Sequence, residues 1–147
     1  MRQITYAILG YGGRGSTFAE LARLPHINAT IVAVAEPDTD KRAQAAQYCE
    51  LPDKMVFKSA EKLLAGPHLA DGIINTTMDK LHAQTSFLAM KKGYHLLLEK
   101  PMAVTLEDCQ EVEKIQRETG VVVAVCHSLR YNDFYDKIKS MIIEGDI

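Results

Sequence analysis

Long apolar runs are absent from this 147-residue sequence, and so is the cysteine spacing of a metal or redox motif. No stretch approaches the ~20 apolar residues that a membrane-spanning helix needs. The three cysteines, Cys49, Cys109 and Cys126, lie far apart and form neither a Cys-x-x-Cys nor a Cys/His pattern. They are typical of buried free thiols in a reducing compartment. We therefore expect a cytoplasmic protein that binds no metal.

The sequence also lacks a marked excess of charge of either sign. The 17 basic and 19 acidic residues are dispersed along the chain and give a formal net charge of -2. A partner with a charged surface, such as nucleic acid or an anionic membrane, is therefore not expected, and a small molecule is favoured. With 47% hydrophobic residues, the chain is long enough for one compact domain that buries roughly two-thirds of its unfolded surface.

Short apolar runs rich in β-branched residues predict strands, and helical patterns separate them. The strands are predicted at 4–9, 30–35, 72–75, 95–98 and 121–125, with a weaker one at 55–57. Helices are predicted at 81–92, before Gly93, and from Thr105, where Asp108 completes a capping box, to Gly120. A last helical face carries Phe134, Ile138, Met141 and Ile142. Strands that alternate with helices, without hairpin turns, predict a doubly wound α/β fold with a parallel sheet.

A glycine-rich turn directly follows the first predicted strand. Gly10, Gly12 and Gly15 form Gly-x-Gly-x-x-Gly, the fingerprint of a dinucleotide site, and Gly13 and Arg14 lie inside it. The first glycine permits the turn, the second clears the path of the pyrophosphate, and the third lets helix and strand approach closely. Because Arg14 lies in the first turn of the predicted helix, its interaction with the helix macrodipole is unfavourable by ~0.3–1 kcal/mol unless an anion is bound nearby. It therefore either contacts the pyrophosphate or simply faces solvent.

The second predicted strand ends in Glu36, 21 positions after Gly15. A dinucleotide fold places near this position the carboxylate that accepts hydrogen bonds from the adenosine ribose. The alternative is a solvated carboxylate at a strand end, and the glycine turn favours the ribose role. The charge of Glu36 would repel a 2′-phosphate, so NAD is favoured over NADP, although Lys41 and Arg42 are close enough in sequence to hold a phosphate.

Several motifs follow in the second half of the chain. Glu99-Lys100-Pro101 ends a predicted strand, preceded by Asn-Thr-Thr-Met-Asp at 75–79 and His82, and by Gly-Tyr-His at 93–95; His-Ser-Leu-Arg-Tyr follows at 127–131. In order and spacing these motifs resemble the N-terminal domain of the Gfo/Idh/MocA oxidoreductases, named for glucose-fructose oxidoreductase and inositol dehydrogenase. The resemblance covers essentially the whole chain and implies a Rossmann-like NAD-binding domain.

The resemblance also implies roles for individual residues. Thr76, Thr77 and His82 would lie against the cofactor, although His82 could instead only pack and hydrogen bond at the start of its helix. Glu99 would approach the nicotinamide ribose. Lys100 would reach the substrate hydroxyl, where an ammonium can stabilise a developing alkoxide or relay its proton. A cis Lys100-Pro101 peptide bond is implied as well.

Three further candidates follow the last predicted strand. His127 is expected at the edge of the crevice, where a contact to cofactor or substrate and the absence of one are equally open. Arg130 and Tyr131 either hold the substrate or dock a second domain.

The resemblance further implies a second, substrate-binding domain that these 147 residues do not include. We therefore expect the polypeptide to continue beyond Ile147, and the longer protein to form homo-oligomers through that domain. Two functions stay open. One is the nucleotide-binding half of a dehydrogenase of a sugar, polyol or related hydroxy compound, inactive without its second half; the other is a stand-alone NAD(H)-binding module or redox sensor.

Overall fold

A computed structural model describes residues 2–147. Six strands and six helices alternate along the chain. They are β1 (Ile4–Leu9), α1 (Gly13–Ala22), β2 (Ala29–Ala35), α2 (Thr39–Tyr48), β3 (Val56–Phe57), α3 (Ala60–Ala65), β4 (Gly72–Asn75), α4 (His82–Lys91), β5 (His95–Glu99), α5 (Leu106–Thr119), β6 (Val123–Cys126) and α6 (Asp133–Glu144). Short 3₁₀ turns at Asp53–Met55, Asp79–Leu81 and Ser128–Tyr131 complete the connections.

The strands form one parallel sheet in the order β3-β2-β1-β4-β5-β6. The predicted doubly wound α/β fold is confirmed. The strand order reverses between β1 and β4, and at this switch point the connections leave toward opposite sides of the sheet. A crevice therefore opens beyond the carboxyl ends of these two strands, which is where such sheets bind their ligands.

The core lies on both faces of the sheet because neighbouring residues of a strand point to opposite sides. Ala7 and Leu9 of β1 belong to a cluster with apolar residues of α3, α4 and α5, whereas Ile8 packs with Ala19 of α1 and Ala45 of α2. The three cysteines are half-buried rather than buried, so this part of the prediction was wrong.

The predicted strand bounds need one substantial correction, at β6. The strand was expected from 121, but it begins at Val123. The carbonyl oxygen of Val122 still accepts from the backbone N–H of Leu96 at 2.8 Å, but its own N–H donates to Nδ1 of His95, 3.1 Å away, instead of to a backbone carbonyl. Elsewhere the strand ends differ from prediction by one residue at most.

The ends of the later helices follow the predicted capping chemistry. Thr105 caps α5 by accepting a hydrogen bond from the backbone N–H of Asp108 at 3.1 Å, which is the threonine half of the predicted box. Gly120 ends the same helix in the left-handed conformation, with φ 68°. In α6 none of the residues 133–144, all described by the structure, is buried, and Phe134 is 68% exposed. The predicted apolar face of α6 is therefore present and only partly covered: Phe134 and Ile142 are exposed, whereas Ile138 and Met141 are half-buried.

Neither a metal cluster nor a membrane helix is found in the described part of the chain. Within residues 2–147, no group of three or more His, Cys, Asp or Glu side chains is placed to hold a metal ion. No helix in the same range is long and apolar enough to cross a membrane.

Candidate cofactor crevice

The glycine turn after β1 is packed against the loop after β4. Gly10 has a φ of +85°, and a Cβ atom there would lie 2.6 Å from the carbonyl oxygen of Thr76. A Cβ atom on Gly15 would overlap the carbonyl oxygen of Gly10, which already accepts the Thr76 hydroxyl at 2.6 Å. The first and third glycines of the motif are therefore required by the protein's own packing.

Gly12 differs from these two glycines. A Cβ atom on Gly12 would meet no atom within 4 Å, and its backbone is extended. The residue occupies the N-cap position of α1, where no side chain caps the helix, and the first turn carries no acidic residue. Free N–H groups of α1 therefore border open space at Gly12 and Gly13, as an anion site at a helix N-terminus requires.

Glu36, directly after β2, is only 6% exposed. Its Oε2 accepts a hydrogen bond from the backbone N–H of Tyr11 at 2.6 Å, and its Oε1 accepts one from the backbone N–H of Asp38 at 2.9 Å. The solvated strand-end carboxylate is thus wrong as a description of Glu36. Because each carboxylate oxygen accepts more than one hydrogen bond, the residue keeps acceptor capacity for a ribose.

Arg42, a cation close to Glu36, is hydrogen-bonded to backbone carbonyl oxygens. Arg42 Nη1 donates to the carbonyl oxygens of Glu36 at 2.7 Å and of Pro37 at 2.9 Å. Asp38 caps α2 by accepting from the backbone N–H groups of Asp40 and Lys41, both at 3.0 Å. These bonds, led by the one from Lys41, hold the pKa of the Asp38 carboxyl below its usual value. Two carboxylates therefore lie at the end of β2, and of the two nearby cations Arg42 is bonded to the backbone while Lys41 is exposed.

Arg14 has a partner that neither sequence-based alternative included. Its Nε and Nη2 lie 2.7 Å and 2.5 Å from Oε1 of Glu99, at the end of β5, and Nη2 also lies 3.7 Å from Sγ of Cys126. The hydrogen bond to Glu99 raises the pKa of the Arg14 guanidinium. The macrodipole conflict expected for Arg14 is thus offset by a carboxylate of the protein itself.

The loop after β4 is held by buried amide and imidazole groups. Asn75 is fully buried, and its Oδ1 accepts the Thr77 hydroxyl at 2.8 Å while its Nδ2 donates into α4. His82 is 1% exposed, with Nδ1 2.7 Å from the carbonyl oxygen of Pro101 and Nε2 2.9 Å from that of Thr77. His82 therefore links the loops after β4 and β5, which favours the packing role over a direct cofactor contact.

The crevice thus has the parts of a dinucleotide site, and the family follows from a comparison with known proteins. Residues 4–127 match the Gfo/Idh/MocA family, described as an oxidoreductase family with an NAD-binding Rossmann fold. This chain belongs to that family.

The relatives of this Gfo/Idh/MocA chain are much longer than it is. The 1,5-anhydro-D-fructose reductase of Ensifer adhaerens is 37% identical over 89 residues, 60% of this chain and 26% of that protein. The scyllo-inositol 2-dehydrogenase (NADP(+)) of Bacillus subtilis (strain 168) is 29% identical over 146 residues, 98% of this chain and 38% of that protein. The crystal structure of an NAD-binding protein from Listeria innocua, 26% identical, gives a TM-score of 0.83 and covers 97% of this chain and 41% of that one.

The residues assigned through the Gfo/Idh/MocA resemblance are placed as follows. The Lys100-Pro101 peptide bond is cis, as predicted. Lys100 is exposed directly after β5, and its backbone N–H donates to Oε2 of Glu99 at 3.2 Å. His127 directly follows β6, the edge strand, and Arg130 and Tyr131 lie in the 3₁₀ turn after it. All three are exposed, Tyr131 to 89%, so their predicted contacts would have to come from a bound ligand or another part of the protein.

Two features of the site were missed from the sequence. The pair of Arg14 and Glu99 joins residues 85 positions apart, for which no local spacing gives a signal. The Asp38 cap could have been found, because an aspartate directly before a helical segment is a frequent N-cap.

Proposed function

We propose that this chain binds NAD(H) as the nucleotide-binding half of a dehydrogenase of a sugar, polyol or related hydroxy compound. The observation that carries the proposal is the open space at Gly12, which adjoins uncapped N–H groups of α1. Buried carboxylates, Glu36 and Glu99, stand at the ends of β2 and β5, on either side of the switch point. The printed names of the relatives, a reductase and an inositol dehydrogenase, support the substrate class.

Different residues of this chain would bind different parts of the cofactor. Gly12, Gly13 and the first turn of α1 would bind the pyrophosphate. Glu36 would accept hydrogen bonds from the adenosine ribose, and Thr76 and Thr77 would line the crevice beside it. When bound, the nicotinamide accepts or donates a hydride.

Lys100 is the candidate catalytic residue on this chain. Its ammonium is exposed directly after β5, on the carboxyl edge of the sheet that forms the crevice. There Nζ would donate a hydrogen bond to the substrate oxygen and hold or release its proton. In a longer protein, Lys100→Ala should lower kcat by ~10²–10⁴, as for loss of an acid–base group. Lys91→Ala, an exposed lysine at the end of α4, is the matched control; an unchanged kcat in Lys100→Ala would remove the catalytic role.

The preference for NAD over NADP rests on the end of β2. A 2′-phosphate there would meet the carboxylates of Glu36 and Asp38, while Arg42 is already bonded to carbonyl oxygens. Asp38→Ser keeps an oxygen that can cap α2 and removes one charge, so it should shift the ratio of dissociation constants toward NADP. Glu36→Ala should shift it further. Ratios unchanged in both variants would contradict the assignment of the adenosine ribose to this place.

A second domain is part of the proposal. The chain spans 26% and 38% of the two relatives described above, and the apolar face of α6 is exposed, with Phe134 and Ile142 as examples. We propose that the second domain covers this face, supplies the rest of the substrate pocket and carries the contacts of a homo-oligomer. Positioning of the substrate contributes ~7–11 kcal/mol to such reactions, so residues 1–147 alone should bind NADH without measurable turnover.

Titration of the chain with NADH, followed by nicotinamide fluorescence, tests the proposal directly. Saturable binding by the folded chain is expected, and no binding at millimolar NAD(H) or NADP(H) would overturn it. Activity assays of a longer protein that includes any following domain then separate the two functions. Turnover with a polyol or sugar supports the dehydrogenase, whereas binding without turnover in that protein would support the stand-alone module.

A further inference from the structure

The order of the strands divides the sheet into two halves that can each bind one mononucleotide. One half is β1-β2-β3 and the other is β4-β5-β6. Glu36 directly follows β2, and Glu99 is the last residue of β5. Each carboxylate therefore lies at the carboxyl end of the middle strand of its own half. Both are buried, with exposures of 6% and 5%, so Glu99 occupies in the second half the position that Glu36 occupies in the first.

The two carboxylates are stabilised in different ways. Backbone N–H groups satisfy Glu36, whereas Glu99 has an ion pair with Arg14. No other Lys, Arg or His side chain of residues 2–147 forms an ion pair with Glu99. A buried carboxylate without its partner carries a large desolvation penalty, so Glu99 depends on Arg14 for compensation of its charge and for its position.

The geometry of the ion pair leaves one oxygen of Glu99 with capacity for a ligand. Both Arg14 nitrogens are within 2.7 Å of Oε1, while Oε2 accepts one long hydrogen bond from the backbone of Lys100 at 3.2 Å. Oε2 can therefore accept a further donor, such as a ribose hydroxyl. The glycine turn holds both carboxylates in this way, Glu36 through the backbone N–H of Tyr11 and Glu99 through the side chain of Arg14.

We propose that Arg14 is a positioning residue, which fixes the Glu99 carboxylate toward the ribose of the nicotinamide half and cancels its charge beside the nicotinamide ring. This inference rests on the proposed function. The ring carries a positive charge in NAD+ and none in NADH, so an uncompensated Glu99 would favour the oxidised cofactor. With Arg14 in place, the carboxylate binds the ribose without strongly selecting one redox state.

Dissociation constants for NADH, NAD+ and ADP test the inference, because ADP contains the adenosine ribose and the pyrophosphate but no nicotinamide half. Arg14→Gln should weaken NADH binding by about tenfold, equivalent to ~1.4 kcal/mol, and leave ADP binding nearly unchanged. It should weaken NAD+ less than NADH, because the freed charge of Glu99 attracts the oxidised ring. Arg14→Lys keeps the charge and should keep the wild-type ratio of NAD+ to NADH affinity.

Glu99→Gln is a second variant, which should change the ratio of NAD+ to NADH affinity in the opposite direction. It leaves no buried charge behind because Arg14 is half-exposed. Its ratio should shift toward NADH, and the double variant Arg14→Gln with Glu99→Gln should return toward the wild-type ratio. Equal weakening of ADP and NADH in Arg14→Gln would make Arg14 a pyrophosphate ligand and overturn the inference, as would unchanged ratios in both single variants. Failure of the wild-type chain to bind NADH would instead contradict the proposed function and the inference together.

Discussion

Replacing Gly12 with alanine adds one methyl group where no protein atom lies within 4 Å. The backbone of Gly12, at φ -77° and ψ -164°, is extended and open to alanine. Alanine lowers the conformational entropy of the unfolded chain, which stabilises the folded protein by ~0.4–1 kcal/mol. Alanine is also a weaker N-cap residue than glycine, so the two effects oppose each other. We expect the stability of Gly12→Ala to stay within about 1 kcal/mol of wild type.

Gly15→Ala is the contrasting variant, because its methyl group would overlap the carbonyl oxygen of Gly10. That oxygen accepts the Thr76 hydroxyl at 2.6 Å, so a shift of the turn also weakens this hydrogen bond. Overpacking costs ~1–3 kcal/mol and a lost hydrogen bond costs about 1 kcal/mol. In a chain of this length, these costs together lower Tm by roughly 5–15 °C.

Thermal unfolding by circular dichroism and NADH titration by fluorescence separate the two effects. Gly12→Ala should melt with the wild type and bind NADH at least about tenfold more weakly, a loss of ~1.4 kcal/mol, because the methyl group enters the proposed path of the pyrophosphate. Gly66→Ala is the matched control: it has almost the same backbone angles, φ -74° and ψ -168°, and follows α3 outside the crevice. NADH binding by Gly12→Ala as tight as wild type would refute the assignment, and a Tm as low as that of Gly15→Ala would refute the packing argument.

Three further predictions concern stability and ionisation. Burial, with a contribution from Cys49, raises the pKa of Tyr11 to about 12. Ultraviolet titration should therefore show a tyrosine that ionises near that pH, and Tyr11→Phe should remove this step. The stability that the neutral phenol contributes is complete below pH ~10 and is lost as pH rises through about 12. The hydrogen bond from Arg2, with others, holds the pKa of Asp71 far below its ordinary value of 3.8. Asp71→Asn should therefore destabilise the protein at pH 7 in urea unfolding, and the difference should shrink as pH falls below about 4; a difference that does not change with pH would contradict this. Thr105→Ala should cost about 1 kcal/mol through loss of the α5 cap, while Thr105→Ser should not, and equal urea midpoints for the two variants would rule out the cap.

The features that could be predicted from the sequence are those with a local signal. The glycine turn and Glu36 lie at spacings that the fold imposes, and all six strands were found from short apolar runs. The helices α2 and α3 were not located. Helix α2 buries only Ala45, and α3 is six residues long, so its buried apolar positions Ala60, Leu63 and Leu64 span little more than one turn. Their N-cap residues, Asp38 and Ser59, are the local signals that could have located them, while most of the stability of such short helices comes from tertiary packing.

The partners of the site residues were not predictable, because they depend on which strand ends meet. Arg14 could be assigned only to an anion or to solvent, since nothing in the sequence places it beside Glu99. His82 was assigned to the cofactor or to packing, and its contacts with the carbonyl oxygens of Thr77 and Pro101 arise only when β4 and β5 are neighbours. In such a fold, sequence spacing identifies which residue types line the crevice, and strand order decides which of them touch.

The support given to each group explains why binding and catalysis are expected to separate in this chain. A functional side chain must be held by its neighbours to act with precision. Glu36, Glu99 and Asn75 are buried: the two carboxylates accept hydrogen bonds from the glycine turn, and Asn75 donates one to Thr85 of α4. Lys100 and Tyr131 are exposed on the same chain. In the proposed function, residues 2–147 thus organise the cofactor half of the site themselves, and we expect orientation of the substrate to require contacts from elsewhere in the protein.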